Sequence, residues 1–530
     1  MKFADAPIPR DQINLIPTYL DELLPQNSPI RLIDELLDQL DWNVFNEKFS
    51  YERRGRPPIA PRILVAIWIW AFFRRVRSSR ELEYQLRTNV EFMWLAHGHR
   101  LDHSTLAAFR SQNAKPLKEI HRDLIRLAKK LGVIKIADLY VDATRIKANA
   151  SRSRMMTDGK ATELLKIVDQ QIAAHLEATE AEDQTENLVA EVSGEELPEA
   201  LADLYRRKTQ LEQMAETCRA MDAVRKKQGI DPAKNPFQLP ITDPDSRVLP
   251  NKEGGYAPNY TPLVAVEGEL GLIVSTTIFN STNEQDYLLA TVADVESAYE
   301  VTVQMVGADA AYSTISNILA LECEQQKDFV SPHRNGDPVI DNPAVRDDPT
   351  VPVAEADIKN LPVDSQGKFS VEAFVYDAKE NQMHCPAGKA MPKAYTEQHK
   401  LGDGRTMERT IYQTRSCTGC ALLEQCRGKS KTEFKSGRRV SRDEHAEQRA
   451  AHRAKMATPE AKKRYQGRLS PGERPFAQLK EHFGMRRFQT RGQPAVESEF
   501  SLGVLGQCIG RLSKYFGSGS ALRIRINESQ

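Results

Sequence analysis

A chain of 530 residues is too long for one ordinary domain and reads as three or four units of ~150 residues. Its 73 basic residues balance 73 acidic ones, and a hydrophobic fraction of 40% is enough to build real cores and argues against global disorder. The longest apolar run, Ile63 to Phe73, is far short of the ~20 residues of a membrane span, the N-terminus lacks the features of a secretory signal, and seven cysteines do not suit a paired disulfide framework. These bounds predict a soluble, cytoplasmic, multidomain protein with no membrane partner.

Neutrality conceals local imbalance. Gln171 to Tyr205 holds ten acidic residues and no Lys or Arg, whereas Arg427 to Arg491 holds 19 basic residues against 7 acidic. Arg53 to Arg87 holds nine Arg. Such asymmetry points to a polyanionic partner for the basic parts; the plainer alternative is a set of solvated helix faces.

Residues 11–130 carry helical spacing, as in Ile33, Leu36, Leu37 and Leu40. Ser78 or Ser79 is expected to cap one helix, and Ser104 or Thr105 another. Arg53, Arg54, Arg74, Arg75 and Arg110 lie among these short helices and are candidate contacts to DNA. Val133–Ala143 then reads as a strand ending in a carboxylate, Asp142. Residues 160–228 form a long, Pro-poor, charged helical pattern, expected as a helical hairpin inserted in the sheet. Asp231 to Pro250 reads as loop. Leu263–Glu267 and Leu272–Phe279, separated by glycines, predict a β-hairpin. Val301–Val306 predicts a strand running into Gly307-Ala308-Asp309, and Lys327–Ser331 a short further strand. Residues 335–455 lack a clear period, a last strong helix is expected over about Gly472–Phe483, and Phe500–Phe516 is apolar enough to pack on the body. The isolated Cys218, Cys323 and Cys508 are expected in the core, as are Tyr256, Tyr260, Trp68, Trp70 and Trp94, for which stacking on an extruded base is the alternative.

Asp142 and Asp309 each end an apolar strand, where ligands collect in α/β sheets, although either alone reads better as a turn-former or helix cap. Glu473 opens a helix on which Lys480 and Arg487 share its stripe. Cys417-x2-Cys420-x5-Cys426 follows Cys385 after 31 residues. Four thiols with one short C-x2-C pair suit a tetrahedral structural Zn2+ site, with His384 a substitute ligand; ordinary reduced thiols are the alternative.

Three segments carry a family resemblance: Leu139-Tyr-Val-Asp142-Ala-Thr, Val306-Gly-Ala-Asp309-Ala-Ala-Tyr-Ser and Glu473-Arg-Pro-Phe-Ala-Gln-Leu-Lys480. Together they resemble the DDE transposases of bacterial insertion sequences, of the type numbered 1182 and related to family 5. The resemblance implies that Asp142, Asp309 and Glu473 sit on a ribonuclease-H-like sheet and hold two Mg2+ (or Mn2+) ions. It also implies that Tyr465, Arg468, Glu473 and Lys480 match the family's tyrosine-arginine-glutamate-lysine signature, with four residues rather than three between Arg468 and Glu473. Arg486, Arg487 and Arg491 extend the phosphate-binding track from Lys480.

The expected fold is therefore α+β. A helical, DNA-binding domain spans residues 1–130. A ribonuclease-H-like mixed α/β core spans 131–335 and is interrupted by the helical insertion at about 160–228. A Cys-rich insertion and basic linker spans 336–455, and the C-terminal helix with its tail spans 456–530. The expected function is binding of an element's terminal inverted repeats, cleavage at its ends and strand transfer to target DNA. The partners would be double-stranded DNA and further copies of the chain, on the nucleoid. A structure-specific metal-dependent nuclease and a non-catalytic DNA-binding relative are the competing expectations.

Overall fold

The computed structural model describes residues 19–45, 58–186, 199–227, 229–251, 254–281, 283–333, 337, 342–364, 366–400, 404–427, 437–467, 474–517 and 519–528. It is a mixed α/β structure, about half helical. The chain opens with six helices: α1 (Pro29–Asp38), α2 (Pro61–Phe73), α3 (Ser79–Thr88), α4 (Val90–Leu95), α5 (His103–Gln112) and α6 (Ala114–Lys130). Pro61 sits in the first turn of α2, where its missing N–H costs nothing. From Leu64 to Phe72 every residue of this helix is buried, so it runs through the middle of the group.

Ser78 caps α3 by accepting from the Glu81 N–H. The cap of α5 is Asp102, not Ser104 or Thr105. Its carboxylate accepts from the Ser104 hydroxyl at 2.6 Å and the Thr105 N–H at 2.7 Å, and these bonds hold its pKa down at about 2. Asp102→Ala is expected to cost about 1 kcal/mol in chemical denaturation. Because the folded pKa is depressed, the cap's contribution stands above the ordinary carboxylate range and fades as pH falls toward about 2.

The central sheet is built from β1 (Asp138–Ala143), β2 (Ile146–Lys147), β5 (Arg247–Pro250), β6 (Tyr256–Glu267), β7 (Ile273–Phe279), β8 (Met305–Gly307) and β9 (Asp328–Val330). Between β2 and β5 the chain forms a two-stranded pair, β3 (Met155–Met156) with β4 (Leu239–Pro240), and two long helices, α7 (Asp158–Glu186) and α8 (Glu199–Lys227). These helices pack on each other around Val168, Leu211 and Cys218, a core separate from that of the sheet. The main ladder runs β7-β6-β1-β8-β9: β6 is antiparallel to both β7 and β1, while β8 and β9 run parallel to β1. The hairpin read from Leu263–Phe279 is present and longer than expected. The stretch 231–250, expected as loop, contributes β4 and β5. Helices α9 (Leu288–Tyr299) and α10 (Ile315–Ile318) make the connections to β8 and β9.

The stretch 375–443, which shows no sequence period, contributes five described strands to a second antiparallel sheet. It contains β10 (Val375–Asp377), β11 (Gln382–His384), β12 (Ala390–Lys400), β13 (Thr406–Gln413) and β14 (Arg439–Asp443), in that order, with α11 (Leu423–Arg427) before the last strand. Phe369, Met383, Met391, Tyr412 and Val440 give it a core of its own.

The C-terminal part holds α12 (Ala446–Ala457), α13 (Pro459–Gly467), α14 (Arg474–Ala477) widening into a π-helical stretch over Gln478–His482, α15 (Gln493–Phe516) and α16 (Gly519–Glu528). The strongest C-terminal helix is therefore α15, and not the segment around Gly472–Phe483. It is buried almost throughout and packs against α2, α5, α6 and β7. A Cβ at Gly503 would stand 2.5 Å from the Met485 sulfur, so glycine lets the 483–488 segment lie directly on α15. The N-terminal helices, the central sheet and α15 share one apolar core.

Several expected core or contact residues lie elsewhere. Cys218 and Cys508 are buried, but Cys323 is exposed. Tyr260 is fully buried, whereas Tyr256 is 56% exposed. Trp68 and Trp70 are buried; Trp94 is only partly so, its indole N–H donating to Asp21. Arg110 is buried with its guanidinium 4.8 Å from the Trp68 ring, donating to the Arg77 carbonyl, and is not positioned for DNA. Arg74 pairs with Glu91, and Arg75 donates to the His482 carbonyl. Arg53 and Arg54 lie outside the described residues.

Candidate active site

Alternation along β1 and β8 separates two faces. Leu139, Val141, Ala143, Val306 and Ala308 point into the main core, whereas Tyr140 and Met305 belong to a small cluster on the opposite face with Val330, Met456, Ala461 and Tyr465. Asp142 follows Tyr140 by two residues and Asp309 follows Gly307 by two. Tyr140 and Gly307 are partners in the parallel ladder. The two carboxylates therefore stand in register, on one face, at the carboxyl ends of neighbouring strands. Gly307 is required here, since a Cβ would stand 2.6 Å from the Tyr140 ring that lies across it.

Asp142 is 8% exposed and accepts from the Ala143 N–H at 2.9 Å. Asp309 accepts from the Ala311 N–H at 2.8 Å, and its backbone carbonyl accepts from the Ser331 hydroxyl at 2.7 Å, tying it to the end of β9. Among the described residues no cation forms an ion pair with Asp309.

Helices α12 and α13 cover this face. Tyr465 packs partly buried in the cluster with Tyr140, so it helps seat α13 on the sheet. A Cβ at Gly467, the last residue of α13, would stand 3.5 Å from the Tyr140 hydroxyl. Lys480 donates to the Thr144 hydroxyl at 2.6 Å. Along β1 the two anchor points, Tyr140 and Thr144, bracket Asp142. Glu473 and Arg468 lie outside the described residues.

The track beyond Lys480 runs along the edge of the sheet. Lys147 N–H donates to the Arg486 carbonyl at 3.2 Å, and Phe488 N–H donates to the Lys147 carbonyl at 2.9 Å. The Arg487 guanidinium donates to the Ala148 and Ala150 carbonyls, and Arg491 to the Asn149 carbonyl. The exposed Arg486 pairs with Glu481. Lys147, Arg152 and Arg154 share a cavity with Arg487 and Arg491 and were not singled out from the sequence, although four basic residues between Arg145 and Arg154 are the available signal.

Cys385, Cys417, Cys420 and Cys426 all line one tight cavity of about 30 Å³ beside the second sheet. The Cys417 sulfur accepts from the Arg438 N–H at 3.4 Å. Burial, reinforced by the neighbouring thiols, pushes the Cys426 thiol up to about 11, and burial raises Cys385 as well. His384 is buried, and its Nδ1 has no hydrogen-bond partner among the described residues. Among those residues no three His, Cys, Asp or Glu side chains are drawn together as closely as a bound metal ion requires. No helix among them is long and apolar enough to cross a membrane.

Two family models match the chain: a Transposase DDE domain over residues 384–513 and a Transposase domain (DUF772) over residues 18–112. Together the matches support a DDE transposase of insertion sequences, a DNA transposase; they do not distinguish types 1182 and 5. No curated protein matches. Among solved structures, the chain is similar to one described as a piggyBac transposase synaptic complex with hairpin DNA. That likeness has 9% identity and a TM-score of 0.32, over 95% of this chain and 79% of that one, and is too low to carry an argument.

Proposed function

We propose that the chain cleaves phosphodiester bonds at the ends of an insertion sequence and transfers the freed strands to target DNA, with Asp142, Asp309 and Glu473 as its catalytic acids. The observation that carries this reading is the parallel pairing of Tyr140 with Gly307, each two residues before one of the two acids, Asp142 and Asp309. Antiparallel β7, β6 and β1 followed by parallel β8 and β9 is also the strand order of a ribonuclease-H-like core. The domain limits 1–130, 131–335, 336–455 and 456–530 belong to the same proposal. The packing of Tyr465 in the Tyr140 cluster and the Lys480–Thr144 hydrogen bond, one before and one after Glu473 in the chain, support including Glu473.

Asp142, Asp309 and Glu473 would hold two Mg2+ or Mn2+ ions, which stabilise charge on the attacking and leaving oxygens of a phosphoryl displacement. The donor chemistry fits, because hard divalent cations prefer carboxylate oxygens and need few from the protein. In cleavage, a water oxygen bonds to phosphorus and the 3′ oxygen leaves as a hydroxyl. In joining, that hydroxyl attacks a target phosphodiester and the displaced target oxygen takes up the proton. Lys480 neutralises a phosphate oxygen beside Thr144, and Arg486, Arg487 and Arg491, with Tyr465 and Arg468 upstream, orient the strand. The partners are the terminal inverted repeats and target DNA, engaged by more than one copy of the chain.

Metal substitution tests the carboxylate assignment. Asp309→Cys should be inactive with Mg2+ and regain cleavage with Mn2+, which accepts sulfur ligands more readily. Equal activity of this variant and the parent in Mg2+ would refute the role of Asp309.

The four cysteines would hold one structural Zn2+ in this reading: they line one cavity, and binding the ion would draw their side chains closer together than they now stand. Freshly purified, reduced protein should contain about one equivalent of zinc. Chelation should open residues 380–430 to protease while the central sheet survives, because metal binding there is folding energy. Zinc-free protein with the same protease pattern would leave ordinary thiols as the answer.

A further inference from the structure

The cavity at the edge of the sheet has a charge distribution that the catalytic face does not explain. It measures about 630 Å³ and lies between β2 with the residues after it, the start of β6, and the 487–491 segment. Lys147, Arg152, Arg154, Arg487 and Arg491 all contribute to its lining, and among the described residues no carboxylate does. None of the five forms an ion pair among the described residues. Like charges crowded around one concavity repel one another, and an uncompensated set of this size is stabilised by an anion that spans several of them.

Two features narrow the anion. Arg487 and Arg491 are each held through Nε to a backbone carbonyl, at 3.2 and 3.0 Å, so the wall is fixed in place before any ligand arrives. Tyr256 also lines the cavity and is 56% exposed, so that it presents an aromatic surface there. A wall of cations beside an exposed aromatic ring is the arrangement that binds phosphates and stacks a base. A volume of 630 Å³ is that of a small-ligand pocket. It admits a nucleotide or two of a single strand, but not the cross-section of a duplex.

We infer that this cavity is a binding site for an unpaired segment of DNA, whose phosphates contact Lys147, Arg152 and Arg154 and one of whose bases stacks on Tyr256. The inference rests on the proposed function for the origin of that strand. The segment that brings Lys480 to Thr144 continues to Arg487, and the run after β1 continues to Lys147, so both walls lead from the carboxylates to the cavity. A strand separated from its complement near the cleaved end can enter it directly.

The test is binding of a short fluorescent oligothymidylate and of a duplex of random sequence to the full chain, over a salt series, without added Mg2+ or Mn2+ so that no cleavage intervenes. Replacing Lys147, Arg152 and Arg154 together by Gln should lower the slope of log affinity against log salt for the single strand by about 2. Tyr256→Ala should weaken single-strand binding by roughly 5- to 150-fold without changing the slope, and Tyr256→Phe should restore it. The duplex should be much less affected by Tyr256→Ala. Parental affinity and slope in the triple variant would overturn the site. Equal losses for both DNAs, with Tyr256→Ala silent, would overturn the single strand and make the cavity a duplex-backbone contact. An error in the catalytic assignment is distinguishable, since it would appear as normal cleavage by Asp142→Asn and leave these binding curves where they are.

Discussion

Asp309→Asn should reduce cleavage and strand joining together by about a thousandfold or more. The amide keeps the shape of the side chain but removes the charge that balances a divalent cation, and several kcal/mol of charge stabilisation in the displacement depends on that balance. Both steps fall together because one centre serves both. Asp142→Asn and Glu473→Gln should behave alike, whereas Asp245, which accepts from the Gln493 N–H at 2.8 Å and serves the N-terminus of α15, should tolerate Asn far better in catalysis. Binding of DNA should persist or strengthen in the triad variants, since less negative charge then faces the phosphates. Near-normal cutting by folded Asp309→Asn in Mg2+ would favour a different set of acids or the non-catalytic reading.

The second large effect is on stability. Glu499, fully buried in α15, accepts from the Gln489 and Thr490 N–H groups, from the Thr490 hydroxyl at 2.8 Å, and from the Arg77 guanidinium. Arg77 is only 11% exposed and also donates to the Phe483 carbonyl, and its own carbonyl accepts from Arg110. This ion pair joins the N-terminal helices to α15 and to the loop after Lys480. Glu499→Ala leaves a buried guanidinium and three donors without their acceptor, and should cost ~3–5 kcal/mol in equilibrium unfolding. Arg77→Met should cost less than Glu499→Ala, because the carboxylate retains its other donors. A loss below about 1 kcal/mol for Glu499→Ala would mean that water reaches the pair and that the junction is looser than its burial implies.

β1, β7, β8 and the second half of β6 are legible in the sequence because each is an apolar, β-branched run with a defined stop. Val141 before Asp142 and Val306 before Gly307 mark the strand ends, and the glycines around 268–271 mark the hairpin. Helices α7 and α8 are legible because they are long, charged and Pro-poor. The second sheet is not, because β12 is exposed along nearly its whole length and has no apolar alternation to detect. The prominence of α15 is hidden for the opposite reason. Buried on most sides, and with Gly503, Gly506 and Gly510 spaced along it, it has little amphipathic period and reads as an apolar tail. At the site, Asp142 and Asp309 are visible as residues, but their common face emerges only from the register of β1 with β8. The roles of Thr144 and Lys147 depend on a segment more than 300 residues away in sequence. A smaller case is the cap of α5: Ser104 or Thr105 reads as the cap, and the backbone selects Asp102 just before them.

The most direct measurement is incubation of the purified full chain and Mg2+ with a plasmid carrying an element's two ends, followed by sequencing of every cut and junction. The account predicts breaks at the outer ends of the terminal repeats and new junctions joining those 3′ ends to target DNA, both absent in chelator. Cuts without junctions would make the protein a nuclease, and repeat binding with neither cuts nor junctions would contradict catalysis altogether.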